Sequence, residues 1–313
     1  MYIRTLAGPF LGAPLNEVND QLSIVREGGL PLEFYRRLDI RQRGFSGIQD
    51  LRFKRKMVAL EKLGDFRDEH AVLTLIAVVD NKLFAPRDFE PEQKLLLRQE
   101  AATALGKIGG TVALAKLNDL LQSKDPIERT MGSRGLSRAS GGQAATSLLT
   151  ALKTETDPNV KGELIFALGN IGGGLNNQAK ELIVRELIRQ IENNTHKELL
   201  LAAFATLGKL RLKSATEFLL KQLTKLHGDE SLADTIVIAL GNIGDERAVN
   251  LVVVMLEVHA KKRVRSSAAL ALGKIGGSKA RDALKRRLNL EKEGSVRSDI
   301  LRAMTPVIHQ TFP

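Results

Sequence analysis

Apolar residues along most of this chain return at intervals of three and four, the spacing that lines one face of an α-helix. Leu114, Leu117, Leu120 and Leu121 form one such stripe, and Ala248, Leu251, Val252 and Met255 another. Between stripes the pattern is punctuated. Asp125-Pro126 and Asp157-Pro158 each supply a cap oxygen followed by a proline that a first helical turn tolerates. Glycines at the far ends offer the left-handed backbone on which helices stop. The pattern predicts helices that come in pairs.

The pairs repeat. ATALGKIGG ends at Gly110, FALGNIGGG at Gly174, ATLGKL at Leu210, IALGNIGD at Asp245 and LALGKIGG at Gly277. Their first glycines are Gly106, Gly169, Gly208, Gly241 and Gly273, so the gaps are 169 − 106 = 63, then 39, 33 and 32. The first gap holds two units, with a degenerate copy at Gly135-Leu136-Ser137. A further step reaches Ala303-Met304-Thr305, preceded by Val296-Arg297 as Gly273 is preceded by Val264-Arg265, and an earlier, weaker copy is read at Ala59-Leu60-Glu61. A fixed interval near 32 residues is the signature of a repeat architecture. Each unit is too thin to bury its apolar face alone, and the small Ala and Gly positions let neighbouring helices approach closely, so that stacked units share one core.

The motif Asp-Pro-x-Val-Arg/Lys followed by Ala-Leu-Gly-Lys/Asn-Ile-Gly resembles the HEAT repeat family, in particular its phycobilisome-lyase HEAT-like (E-Z type) subtype, over residues 50–305. The resemblance implies an all-α fold: a right-handed α-solenoid (α/α superhelix) of about seven to eight helix pairs. Members of the subtype include bilin lyases, scaffold proteins and chaperones, so the fold does not dictate the activity. The expected division is an atypical N-terminal helical cap over residues 1–45 and a repeat solenoid over 46–313. Helices are expected from Leu15 to Glu27, on Val18, Leu22 and Val25, and from Leu32 to Arg43, on Phe34, Tyr35 and Leu38. This start reads either as a cap over the solenoid's open end or as a partner-binding arm. Three insertions lengthen the repeat: Phe84–Pro91, Gly172–Asn177 and Asn193–Lys197. The first, with two aromatics and two prolines, is either a functional loop or a tolerated one.

Composition narrows the chemistry. Of 313 residues, 43% are apolar and 27% charged, as in an ordinary folded protein, and only 4% are aromatic, with no Trp. The absence of cysteine removes disulfides, thiolate metal sites and cysteine nucleophiles. No run approaches the roughly 18 apolar residues of a membrane span, and the first residues lack the apolar stretch of a secretory signal, so a cytoplasmic location is expected. His70, His196, His227, His259 and His309 share no ligand spacing, and no phosphate loop, GxSxG or HExxH is present. The recurring His-Glu pairs of the diiron hydroxylase built on HEAT repeats are absent. No catalytic residue, cofactor or metal site is expected.

The net charge is +11, unevenly spread. Residues 261–302 carry 13 Lys/Arg against 4 Asp/Glu, which is +9, residues 1–62 carry 11 against 7, which is +4, and the middle is 11 − 9 − 4 = −2. A basic patch is expected at Lys261, Lys262, Arg263, Arg265, Lys285, Arg286 and Arg287, steering an acidic partner. Arg265 and Arg297 have a second reading, as structural residues pairing with a neighbouring repeat's turn. The HEAT resemblance places the Ala-Leu-Gly helix on the concave side. Two residues before each motif Leu stand Thr103, Arg134, Phe166, Ala205, Ile238 and Leu270. The first two are polar and the rest apolar, an apolar ridge suited to a partner or, alternatively, packed against the next unit. Asn170, Lys209, Asn242 and Lys274 share the position just after the Gly and form a polar row beside it. With Arg134, Phe166, Ile238 and Leu270, they make the expected concave binding face. The function expected is a non-catalytic scaffold or adaptor for another protein. The alternatives are nucleic-acid binding through the basic N- and C-terminal units and bilin lyase-like chromophore transfer.

Overall fold

A computed structural model of the chain describes residues 15–26, 45–84 and 88–305. All regular structure in these residues is helical. The chain divides into two compact units, Met1–Ala151 and Leu152–Pro313.

The N-terminal unit holds α1 (Leu15–Arg26), α2 (Phe45–Phe66), α3 (Val72–Val79), α4 (Pro91–Ile108), α5 (Gly110–Leu121), α6 (Pro126–Leu136) and α7 (Gly142–Thr154), whose last residues cross the boundary. The C-terminal unit continues with α8 (Pro158–Ile171), α9 (Asn177–Glu192), α10 (Lys197–Leu210), α11 (Thr216–Leu226), α12 (Glu230–Ile243), α13 (Val249–Val258), α14 (Lys262–Ile275), α15 (Ser278–Leu290) and α16 (Gly294–Met304). Among the described residues, seven helix pairs and the first helix of an eighth match the repeat arithmetic, and the fold is an all-α solenoid.

Each unit has two layers. The motif helices stack on one another, α2 on α4 on α6 in the first unit and α8 through α10, α12 and α14 to α16 in the second. Their companions touch their own successors far less. The tight layer depends on small residues. A β-carbon on Gly208 would lie 2.7 Å from the Cα of Ala239, and one on Gly241 would lie 2.7 Å from the Cα of Ala271. The first glycine of the motif therefore serves close approach between helices. The later glycine does the stopping: Gly244 has φ 71° and its N–H bonds back to the carbonyl of Leu240. The same contact corrects the register of the first repeat. Gly64, which would meet the Cα of Ala104 at 2.8 Å, holds the motif position in α2, so that copy is Leu63-Gly64-Asp65 and not Ala59-Leu60-Glu61.

A cation recurs at one phase of the motif helices, eight residues before the motif-glycine position. Lys56 Nζ donates to the carbonyls of Ile24 and Val25 at the end of α1, both at 2.9 Å. Arg98 donates to the Val79 carbonyl at 2.6 Å, and Arg265 to those of His259 and Ala260 at 3.0 and 2.9 Å. Arg297 reaches the carbonyls of Leu288 and Glu291. The last carbonyls of a helix lack intrahelical partners and sit at its negative end, so a cation there satisfies both needs.

Helix α1 agrees with its expected bounds and buries Val18, Leu22 and Val25 in the N-terminal unit, packing on α2. The expected helix at 32–43 lies outside the described residues. Phe84 and Phe89 are not a free loop: both are buried, meet edge to face at 5.3 Å, and Phe89 also packs on Phe53 of α2. The insertion thus carries core aromatics.

Candidate functional site

In the C-terminal unit, the motif helices expose one phase of residues on their tightly stacked face. Phe166 is 53% exposed and Ile238 42%, Ala205 is exposed and Leu270 half-buried. Such exposure for a large apolar side chain is unusual only when it recurs in register, as it does here. Arg134, also placed on the expected binding face, is exposed on α6 and belongs to the N-terminal unit.

The polar row beside the ridge is paired from repeat to repeat. Lys209 Nζ donates to Asn170 Oδ1 at 3.1 Å and lies 4.6 Å from the centre of the Phe166 ring, an amphipathic cluster joining α8 and α10. Lys274 Nζ donates to Asn242 Oδ1 at 2.8 Å, joining α12 and α14. Their equivalents in the N-terminal unit are Lys107 and Asp65, an ion pair of 2.8 Å between α4 and α2. Asp65 was not singled out from sequence. Its position one residue after Gly64 is the signal that would have found it.

The basic patch divides. Arg265, 9% exposed, is structural: its guanidinium pairs with Glu291 at 2.9 and 3.0 Å besides holding the two carbonyls above. Arg287 donates to the same carboxylate at 2.7 Å and to the Glu257 carbonyl at 2.8 Å. Hydrogen bonds from Arg265, and then from Arg287, hold the Glu291 carboxyl down at about 2, against the cost of burial. Arg263 pairs with the buried Asp234 at 2.7 Å, whose other oxygen accepts from Ser267 at 2.5 Å. Arg286 pairs with Glu257 at 3.0 Å and Lys262 lies 3.8 Å from Glu293. Lys261 and Lys285 stand exposed. Five of the seven patch residues are therefore engaged with carboxylates, and Lys261 and Lys285 are not.

A cleft of about 380 Å³ lies in the N-terminal unit, lined by Glu69, Val72, Leu73, Gly110, Thr111 and Val112 among others. Counting from the motif glycine, Val112 occupies the phase of Arg247. In the C-terminal unit Arg247 crosses to the carbonyl of Lys213 at 2.8 Å, while held by Asp245. A valine cannot make that bridge, and the equivalent space stays open.

Residues 216–305 match the family model for HEAT repeats, and residues 97–123 that for the PBS lyase HEAT-like repeat. Over those residues the chain carries HEAT-type repeats. Solved structures similar to it include the complex of CpcE and CpcF of phycocyanin lyase from Nostoc sp. PCC7120, at 19% identity over 96% of this chain and 98% of that one, with a TM-score of 0.40. Human deoxyhypusine hydroxylase in complex with glycerol is similar at 19% identity over 92% and 95%, TM-score 0.35. YibA of Escherichia coli is similar at 13% identity over 97% and 99%, TM-score 0.49. No curated protein matches the sequence. No helix among the described residues is long and apolar enough to cross a membrane.

Proposed function

We propose that this protein is a non-catalytic scaffold or adaptor that holds another protein on the motif-helix face of its C-terminal unit. The observation that carries the reading is the exposed apolar phase at Phe166 and Ile238, continued by Ala205 and Leu270, on four successively stacked helices. A layer whose helices stack more closely than their companions forms the inside of a curve, so this phase lines a concave surface. Apolar contacts there supply affinity, and the flanking lysines supply orientation.

Nucleic-acid binding is less well supported. Phosphate contacts need cations whose charge is free. Arg263, Arg265, Arg286 and Arg287 already serve carboxylates.

The test is affinity capture with the full chain from an extract of its source, comparing wild type with Phe166→Asp, Ile238→Asp and Thr103→Asp. A specific polypeptide retained by wild type and by Thr103→Asp, and released by the two C-terminal variants with unchanged melting, supports the reading. Retention indifferent to Phe166 and Ile238, or retained material destroyed by nuclease, overturns it.

A further inference from the structure

The two units treat one repeat phase differently. In the N-terminal unit the lysine after the motif glycine faces a carboxylate, Lys107 with Asp65, and the pair is neutral. In the C-terminal unit both corresponding lysines face amides, Lys209 with Asn170 and Lys274 with Asn242. An asparagine oxygen accepts a hydrogen bond and fixes the ammonium in place, but it contributes no countercharge. No carboxylate among the described residues lies within ion-pairing distance of either ammonium, and both lysines are exposed. Each is a positioned cation with its full charge directed at solvent, next to the apolar phase.

We infer that the C-terminal face selects an acidic amphipathic helix of its partner, with Lys209 and Lys274 reading two carboxylates that flank an apolar stripe. The inference rests on the docking reading above and names the partner's chemistry. The geometry is set by the stack. Helices packed in a layer lie about 8–10 Å apart, so Lys209 on α10 and Lys274 on α14, with α12 between them, stand roughly 16–20 Å apart. A partner helix laid across the layer rises about 1.5 Å per residue. It therefore meets the two lysines with carboxylates about 11–13 residues apart, and meets Phe166, Ala205, Ile238 and Leu270 with apolar residues about every fifth to seventh position. Lys209 already covers part of the Phe166 ring. An incoming apolar residue completes the desolvation of that ammonium and strengthens its attraction for a carboxylate.

The experiment uses the full chain and two synthetic helical peptides, each with a leucine stripe and a charged pair 11 residues apart, Glu in one and Lys in its twin. Binding is read by fluorescence anisotropy at low and at high salt, with a single-stranded 20-nucleotide DNA as a third probe. The proteins are wild type, Phe166→Asp and the double variant Asn170→Asp/Asn242→Asp. That double variant removes no atom of contact volume and recreates the neutral pairing of Asp65 with Lys107.

The Glu peptide is expected to bind wild type about tenfold or more tightly than its Lys twin, a preference that salt erodes. The double variant is expected to bring the two peptides within about threefold of each other, with no loss of thermal stability. Equal binding of the twins to wild type, or a preference untouched by the double variant, overturns the inference. If Phe166→Asp still abolishes both complexes in that case, the docking face survives and only its charge selection falls. If Phe166→Asp leaves both peptides bound as before, the docking reading itself falls. DNA binding that displaces the Glu peptide and ignores Phe166 overturns both in favour of a polyanion.

Discussion

The N-terminal and C-terminal units are made of the same repeat and spend its exposed positions differently. At the phase two before the motif leucine, the first unit has the half-buried Thr103 and the exposed Arg134, and the second has Phe166, Ala205, Ile238 and Leu270. At the phase after the motif glycine, the first has the Asp65–Lys107 ion pair and the exposed Arg138, and the second has amide-held lysines. Across the turns the order reverses: the second unit closes its inter-repeat space with Arg247, and the first leaves a cleft at Val112. The positions that make helices stack are held in common, and the positions that face solvent are free to differ. Function in such a protein is therefore read from what departs between equivalent phases, and stability from what does not.

The shared part should break hardest. Valine at position 241 forces a branched side chain where even a β-carbon would sit 2.7 Å from Ala271. Overpacking of this kind costs about 1–3 kcal/mol and more where backbone must move, so Gly241→Val is expected to lower the C-terminal unit's unfolding free energy by at least that much. Gly64→Val should do the same to the N-terminal unit, where the neighbour is Ala104 at 2.8 Å. Gly228→Ala, with open space around it, is the control and should change little. Hydrogen exchange resolved along the chain reads the two units separately. If the glycine variants melt like wild type, the close-approach account of the stack is wrong.

The docking face is the next largest effect, and it should appear in one unit only. Aspartate at Phe166 or Ile238 places a charge in the centre of the apolar phase, and such a change at a desolvated anchor costs about 2 kcal/mol or more, which is some thirtyfold in affinity. Thr103→Asp should cost nothing measurable. A partner lost equally from both variants would remove the asymmetry on which the comparison rests.

Acid should separate the units by a smaller margin. Glu291 and Asp245, both in the C-terminal unit, have carboxyls held at about 2, by Arg265 and Arg247 respectively. Glu128 in the N-terminal unit is lowered too, by the Ser123 hydroxyl and then Arg98. A carboxylate whose folded value lies below its unfolded one, about 4.3 for Glu, stabilises the fold above that unfolded value. The contribution is lost as pH falls from there towards 2. The C-terminal unit should therefore lose stability more steeply over that interval. Glu291→Gln should flatten the loss and cost about 1–3 kcal/mol near neutral pH, because Arg265 is left buried without its countercharge. Urea midpoints at a series of pH values check both statements, and an unchanged slope in the variant would refute the assignment.

How far the sequence carries can be judged from these residues. The stack was legible because one physical demand, close approach at a fixed interval, dictates Gly and Ala at Gly208, Ala239, Gly241 and Ala271. The exposed ridge was legible for the same reason, since a helix that packs on both neighbours has one face left. The roles of the cations were legible only in part. Arg265 and Arg297 carried a structural reading, as partners of a neighbouring repeat's turn, and both do donate to its carbonyls. Arg287 looks like surface charge in a composition count, and only the structure shows that it shares Glu291 with Arg265. The Phe84 and Phe89 insertion misled because its partner, Phe53, lies a repeat earlier and outside any periodic pattern. Periodicity reports what is common to the units, and side-chain pairing between units has to be seen.

The smallest prediction sharpens the comparison most directly. Asp65→Asn turns the first unit's rim into the second's, leaving Lys107 held by an amide. Asp65 is 59% exposed, and surface ion pairs are worth about 0.2–1 kcal/mol, so stability should fall by no more than that, and the loss should vanish in high salt as the pair is screened. The N-terminal unit should still fail to bind the acidic peptide, because Thr103 and Arg134 offer no apolar phase beside the freed lysine. Binding gained from this single change would mean that charge alone recruits the partner, and that Phe166 and Ile238 are bystanders. Unchanged discrimination would tie recognition to the coincidence of the two phases, an uncompensated lysine and an exposed apolar neighbour, which the C-terminal unit has and the N-terminal unit lacks.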